Sequence, residues 1–181
     1  VQREGVAHPA VAHRLQAGGN VTDLACLQPA GGPHVGAEIA DLKGLDRQQV
    51  ESIATICRVC RYDAGESVYQ QGGLGEDLHI VVEGQILLEL AVSVGPRHGS
   101  VTVAMLGKGK IFGGWSTLLD ERHTLMLSAV CRKPAVLVVL KGADLRRLMT
   151  GDIRLGFAIL ERLCLLLRER LQLALGAIET L

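Results

Sequence analysis

Ile86-Leu87-Leu88-Glu89-Leu90-Ala91-Val92-Ser93-Val94 carries an apolar residue at every second position. Ile86, Leu88, Leu90, Val92 and Val94 alternate with Leu87, Glu89, Ala91, Ser93 and Gly95, the period of a strand with one buried face. Pro96-Arg97-His98-Gly99-Ser100 then reads as a turn, and Val101, Val103 and Met105 resume the alternation as the hairpin partner. Downstream, Ser128 to Cys131 and Ala135 to Leu140 read as a second pair of strands around Lys133-Pro134. Short strands between glycine-rich turns predict a small antiparallel roll of the jelly-roll kind.

Helical periods flank this β region. Asp46 followed by Gln49 is a helix N-cap with a capping-box partner, and Val50, Ile53, Ala54 and Cys57 share one face, so a helix is predicted over about 46–60. From Ile153 the apolar spacing alternates between four and three. Ile153, Phe157, Leu160, Cys164, Leu167, Leu171, Ala174, Ile178 and Leu181 form a heptad seam of about four repeats. A second stripe, Leu155, Ile159, Leu163, Leu166 and Leu173, runs beside it. A helix with two apolar stripes has two surfaces to bury: one suits the roll, the other a partner helix. The seam therefore predicts a homodimer through the C-terminal helix.

Three regions follow: a loose N-terminal arm (1–36), punctuated by Gly18-Gly19-Asn20 and Pro29-Ala30-Gly31-Gly32-Pro33; a helix plus β-roll (37–151); and a long dimerisation helix (152–181). Residue 1 is Val and Ala177 to Leu181 stops inside a helical pattern, which reads as a fragment of a longer chain.

The order of helix, β-roll and long helix resembles the cyclic-nucleotide-binding domain family of catabolite-activator-like regulators, kinase regulatory subunits and gated channels. Specific residues carry the likeness. Arg61 to Val68 with Gln71-Gly72 is similar to the family's first two strands. Asp77 to Gly84 is similar to the strand that ends in a structural glycine, here Gly84. Leu106 to Gly113 resembles the lead-in to the phosphate-binding cassette, and Leu137 to Leu140 with Asp144 to Leu148 resembles the closing strand and the helix after it. Gly65, Gly84, Gly107, Gly109 and Gly113 fall where chains reverse or approach closely.

The resemblance implies a site. In the family the cassette reads Phe-Gly-Glu, then a short helical loop, then an arginine. The glutamate accepts the ribose hydroxyl, and the arginine pairs with the cyclic phosphate beside free backbone N–H groups. Here the glutamate position holds Gly114 and the arginine position holds Leu125, in a loop slightly longer than the common form. The candidate ligand-binding residues are Gly113, Gly114, Trp115, Ser116, Thr117, Arg122 and Leu125. Arg122, three residues early, is either a substitute cation or a solvated loop arginine. Ser116 and Thr117 either donate hydroxyls to a ligand or cap the helix. Trp115, the only tryptophan, either stacks on a base or covers the roll. Losing two hydrogen bonds to charged groups, at about 1.5–3 kcal/mol each, weakens binding by roughly a hundred- to ten-thousand-fold.

Composition bounds the rest. Hydrophobic residues make up 48%, enough for a core, but aromatics only 3%, so aliphatic side chains fill it. Nineteen basic residues balance nineteen acidic ones, without the basic excess of a nucleic-acid binder. No apolar run reaches a membrane span, since Glu161 and Arg162 break the stretch from Leu155 to Leu167. Five irregularly spaced cysteines read as reduced thiols in the cytoplasm. Cys57-Arg58-Val59-Cys60 has CxxC spacing but no second pair to complete a zinc site, so no metal is expected. No catalytic residues stand out, and an enzyme is not expected. The reading is a ligand-sensing regulatory module, with a cyclic nucleotide or other small molecule as ligand. The alternatives are a dimerisation scaffold without ligand, or the sensor half of a bacterial transcription regulator cut before its helix-turn-helix.

Overall fold

The computed structural model describes residues Cys26–Leu27, 45–95 and 97–179. In chain order the elements are β1 (Cys26–Leu27), α1 (Arg47–Ala54), β2 (Cys57–Tyr62), β3 (Ser67–Tyr69), β4 (Leu74–Gly75), β5 (Asp77–Val94), β6 (Arg97–Leu106), β7 (Ile111–Gly113), α2 (Trp115–Leu119), β8 (His123–Thr124), β9 (Ser128–Lys141), α3 (Gly142–Gly151) and α4 (Ile153–Glu179). The main sheet runs β1-β2-β9-β5-β6, with β3 added on β9 and β7 on β5; β4 and β8 pair separately. Every pairing is antiparallel. This is the expected β-roll with flanking helices and a long C-terminal helix.

Alternation along β5 and β9 feeds two cores. Leu78, Ile80, Val138 and Leu140 meet Ile53 of α1, Leu145 and Met149 of α3, and Leu155, Ile159 and Leu163 of α4. Val81, Ile86, Leu88, Phe112, Cys131, Leu137 and Val139 form the second core. Leu155, Ile159 and Leu163 of the second α4 stripe thus lie on the roll. Ile153, Phe157, Leu160, Cys164 and Leu171 of the seam are exposed, and Leu167 is half-buried. The side chains of Ala174 and Ile178, and all of Leu181, lie outside the described residues.

Several sequence expectations are corrected. The first helix ends at Ala54, not near residue 60. Cys57 to Tyr62 instead pair residue for residue with Leu140 to Ala135, a six-residue ladder that outweighs one more helical turn. Cys57 is therefore on a strand, not on a helix face. The strands around Pro134 are one continuous strand, β9. Pro134, which has no N–H to give, is skipped in the pairing with β5, where the register shifts around Gly84. Gly84 has φ +94, and a β-carbon there would sit 2.3 Å from the Pro134 carbonyl oxygen, so the crossing requires glycine.

The β5–β6 hairpin forms, but Leu88 pairs with Ala104 and Glu89 with Thr102, which leaves Val103 as a bulge. Val101, Val103 and Met105 are all exposed, and Ala104 and Leu106 supply the β6 side chains of the second core. The arm lies outside the described residues except for Cys26–Leu27, which is not loose but pairs with Cys60 and Val59. Cys60 is disulfide-bonded, so the expectation of reduced thiols fails there, and the cytoplasmic assignment loses that support. Cys57, Cys131 and Cys164 are free.

Candidate functional site

The cassette begins where β7 leaves β5. Leu78 pairs with Gly113 and His79 with Phe112. Gly113 has φ +74, and a β-carbon there would come 2.5 Å from the Asp77 carbonyl oxygen. Gly114 follows with φ +84, caps α2 without a side-chain bond, and donates its N–H to the Asp77 carbonyl oxygen at 3.2 Å. A β-carbon on Gly114 would meet Leu78 Cδ1 at 2.9 Å. A glutamate at 114 would therefore need a left-handed backbone and a displaced, buried Leu78.

Ser116 and Thr117 fall inside α2, whose cap position is Gly114. Their side chains lie outside the described residues. Trp115 opens α2 and is half-buried. Asp120 ends the helix with φ 57.

Beyond α2 the loop closes on β4. Arg122 Nε donates to Glu76 Oε1 at 2.8 Å on an exposed surface. Leu125 is 8% exposed. Its N–H donates to the Gly73 carbonyl at 2.8 Å, and its carbonyl accepts from the Gly72 N–H at 2.8 Å. Leu125 is thus covered, with its backbone N–H and carbonyl both engaged.

Two features escaped the sequence reading. His79, Phe112 and Tyr69 form an aromatic cluster, with His79 stacked on Phe112 at a centroid distance of 4.8 Å. His79 is buried, its Nδ1 has no partner, and burial lowers its pKa to about 4. Arg170 of α4 donates from Nη2 to the Ile111 carbonyl at 3.0 Å. Burial lowers its pKa, opposed by Tyr69 nearby. No local pattern marks Arg170, since its partners are set by how α4 crosses the roll.

The thiols are poorly suited to metal. Burial pushes Cys57 up to about 12 and Cys131 to about 11, and Cys57 Sγ donates to the Ile53 carbonyl. A disulfide leaves Cys60 no thiolate to offer. Among the described residues no helix is long and apolar enough to cross a membrane.

Solved structures similar to this chain include a cyclic nucleotide-binding domain from Methylobacillus flagellatus, 21% identical, with a TM-score of 0.69 over 81% of this chain and 82% of that one. The catabolite activator protein of Thermus thermophilus is 26% identical, with a TM-score of 0.60 over 77% of this chain and 63% of that one. The regulatory subunit of a cAMP-independent protein kinase A from Trypanosoma brucei is 21% identical, with a TM-score of 0.56 over 71% of this chain and 44% of that one. The family described as the cyclic nucleotide-binding domain matches residues 59–152, just over half of the chain. With β5 ending its first half at Gly84 and β7 leading into the cassette inside that span, the chain belongs to the cyclic nucleotide-binding domain family.

Proposed function

We propose that this regulatory domain senses a small ligand through a cassette whose affinity for cyclic AMP and cyclic GMP is weak or altered. Residues 37–151 do the sensing, and residues 152–181 hold two copies together. The cassette is Gly113 to Thr117 with Arg122 and Leu125. One observation supports this reading: Leu125, which the family resemblance sets at the position of the phosphate-pairing arginine, is covered and apolar. The positive φ of Gly114 supports it, since the missing glutamate is not simply restored.

A similar regulatory subunit, from Trypanosoma brucei, is described as cAMP-independent. A form of it with three substitutions, one of them threonine to arginine, is described as bound to cAMP in its A site. An introduced arginine is the change proposed here for Leu125.

Trp115 fluorescence tests the reading without a label. Little or no change is expected with cyclic AMP or cyclic GMP at about tens of micromolar. A saturable change with a micromolar midpoint overturns it. If that response also vanished in Arg122→Ala, Arg122 would be the substitute cation. The scaffold reading gains ground if no small anion changes the signal while the dimer persists.

A further inference from the structure

Gln49 is one of two buried polar or charged residues among those described, and both ends of its amide are engaged. Its Oε1 accepts from the Asp46 N–H at 3.1 Å, completing the capping box of α1. Its Nε2 donates to Asp152 Oδ2 at 2.9 Å, across 103 residues of sequence. Asp152 is the single residue between α3 and α4. Its extended backbone (φ −129, ψ 103) breaks the helical run, and its Oδ1 accepts from the Arg154 N–H at 2.9 Å and the Leu155 N–H at 3.1 Å. One carboxylate therefore starts α4 with one oxygen and holds α1 with the other. The joint is tight: a β-carbon on Gly156 would lie 2.7 Å from the Met149 carbonyl oxygen.

We propose that the Gln49–Asp152 hydrogen bond is a latch that fixes the direction in which α4 leaves the roll. Closed, it keeps Leu155, Ile159 and Leu163 seated on the core they share with α1. Open, it frees α4 to pivot at Asp152, the one non-helical residue between the two helices. The cassette reaches the same joint. Arg146 of α3 donates to the Leu118 carbonyl of α2 at 3.3 Å, so α3 has the cassette helix along its length and the latch at its end. This last link rests on reading α2 as part of a ligand loop. The latch itself does not, and it is tested without ligand.

The test reverses the polarity of the pair in the full chain and reads amide hydrogen exchange. Gln49→Glu sets two carboxylates against each other, and Asp152→Asn sets two amide donors together. Each single change is expected to speed exchange in the first three turns of α4 by about tenfold or more, the scale of one hydrogen bond to a charged group. Strands β5 and β9 should keep their wild-type protection. In the double variant, Gln49→Glu with Asp152→Asn, the amide on the joint donates to the carboxylate on α1 while both caps survive. That variant should return α4 to wild-type exchange. Gln49→Met, which keeps the volume and removes only the polar ends, serves if the charged single variant does not fold. Wild-type exchange in the single variants, a double variant as loose as either single, or acceleration spread evenly through β5 and β9 overturns the latch.

Discussion

Leu125 lies against Gly75: a β-carbon built on that glycine would be 2.8 Å from Leu125 Cδ2. The contact seals the cassette's far end onto β4, where Leu125 also exchanges backbone hydrogen bonds with Gly73 and Gly72. Leu125→Arg should therefore have two effects. It loses a covered apolar contact, which lowers stability by about 1–3 kcal/mol. It also returns a cation to the cassette, which should tighten cyclic AMP binding by roughly ten- to a hundredfold, as one charge-assisted hydrogen bond allows. Calorimetric titration of both proteins checks this, and equal affinities count against the proposed site.

Gly84 and Gly65 both take positive φ but differ in surroundings. A β-carbon at Gly84 strikes the Pro134 carbonyl and Ala135, whereas one at Gly65 meets nothing within 4 Å. Gly65→Ala should cost only the backbone strain, about 1–2 kcal/mol. Gly84→Ala adds a clash with backbone and should cost about 3 kcal/mol or more. Denaturant midpoints of the two variants measure the difference.

How far the fold can be read from sequence follows from how local its causes are. The capping box is legible because Asp46 and Gln49 lie within one turn. The α4 stripe that packs on the roll is legible because Leu155, Ile159 and Leu163 recur at helical spacing. The end of α1 is not, because Cys57 to Tyr62 owe their strand conformation to β9, about eighty residues away in sequence. The run of β9 through Pro134 depends likewise on the irregular pairing opposite Gly84. At the site, Gly114 and Leu125 are singled out only through the family resemblance. Arg170 and the second bond of Gln49 are not legible, since neither partner is near in sequence.

His79 makes stability depend on pH. Its folded pKa of about 4 lies below the ordinary 6.5, because burial penalises the imidazolium, and the charge of Arg58 adds to this. The unfolded chain therefore takes up a proton first as pH falls. The stabilisation is complete above about pH 6.5 and is lost progressively down to about pH 4, by about 3 kcal/mol in all. His123 shifts in the same direction, also by burial. His79→Gln should flatten the loss between these limits without removing it. Unfolding curves at pH 7 and pH 4.5 check it, and identical losses in the two proteins reject the assignment to His79.

The last expected outcome concerns the seam of α4. Ile153 is 83% exposed, Phe157 69% and Leu171 61%, while Leu155, Ile159 and Leu163 on the other face are buried. Fully burying large apolar side chains gains about 1.5–3 kcal/mol each, so a few such residues from each copy are enough to drive association. In a parallel pair, like-numbered seam residues meet across the axis. Phe157→Glu should then leave the single chain nearly as stable as before, because the side chain is mostly exposed there, yet abolish the dimer. Ile159→Glu, on the buried face, should instead unfold the chain, which separates the two stripes by experiment. Light scattering at high micromolar concentration reads the first effect, and a monomeric wild type rejects the dimer. Cys164 tests the orientation. It is free, exposed and on the seam. Two copies of it can approach within disulfide reach, about 4–7 Å between α-carbons, when the helices run in parallel and in register. Mild oxidation should then cross-link the wild-type dimer but not Cys164→Ser. A dimer that resists cross-linking at Cys164 would keep the seam and overturn the parallel arrangement.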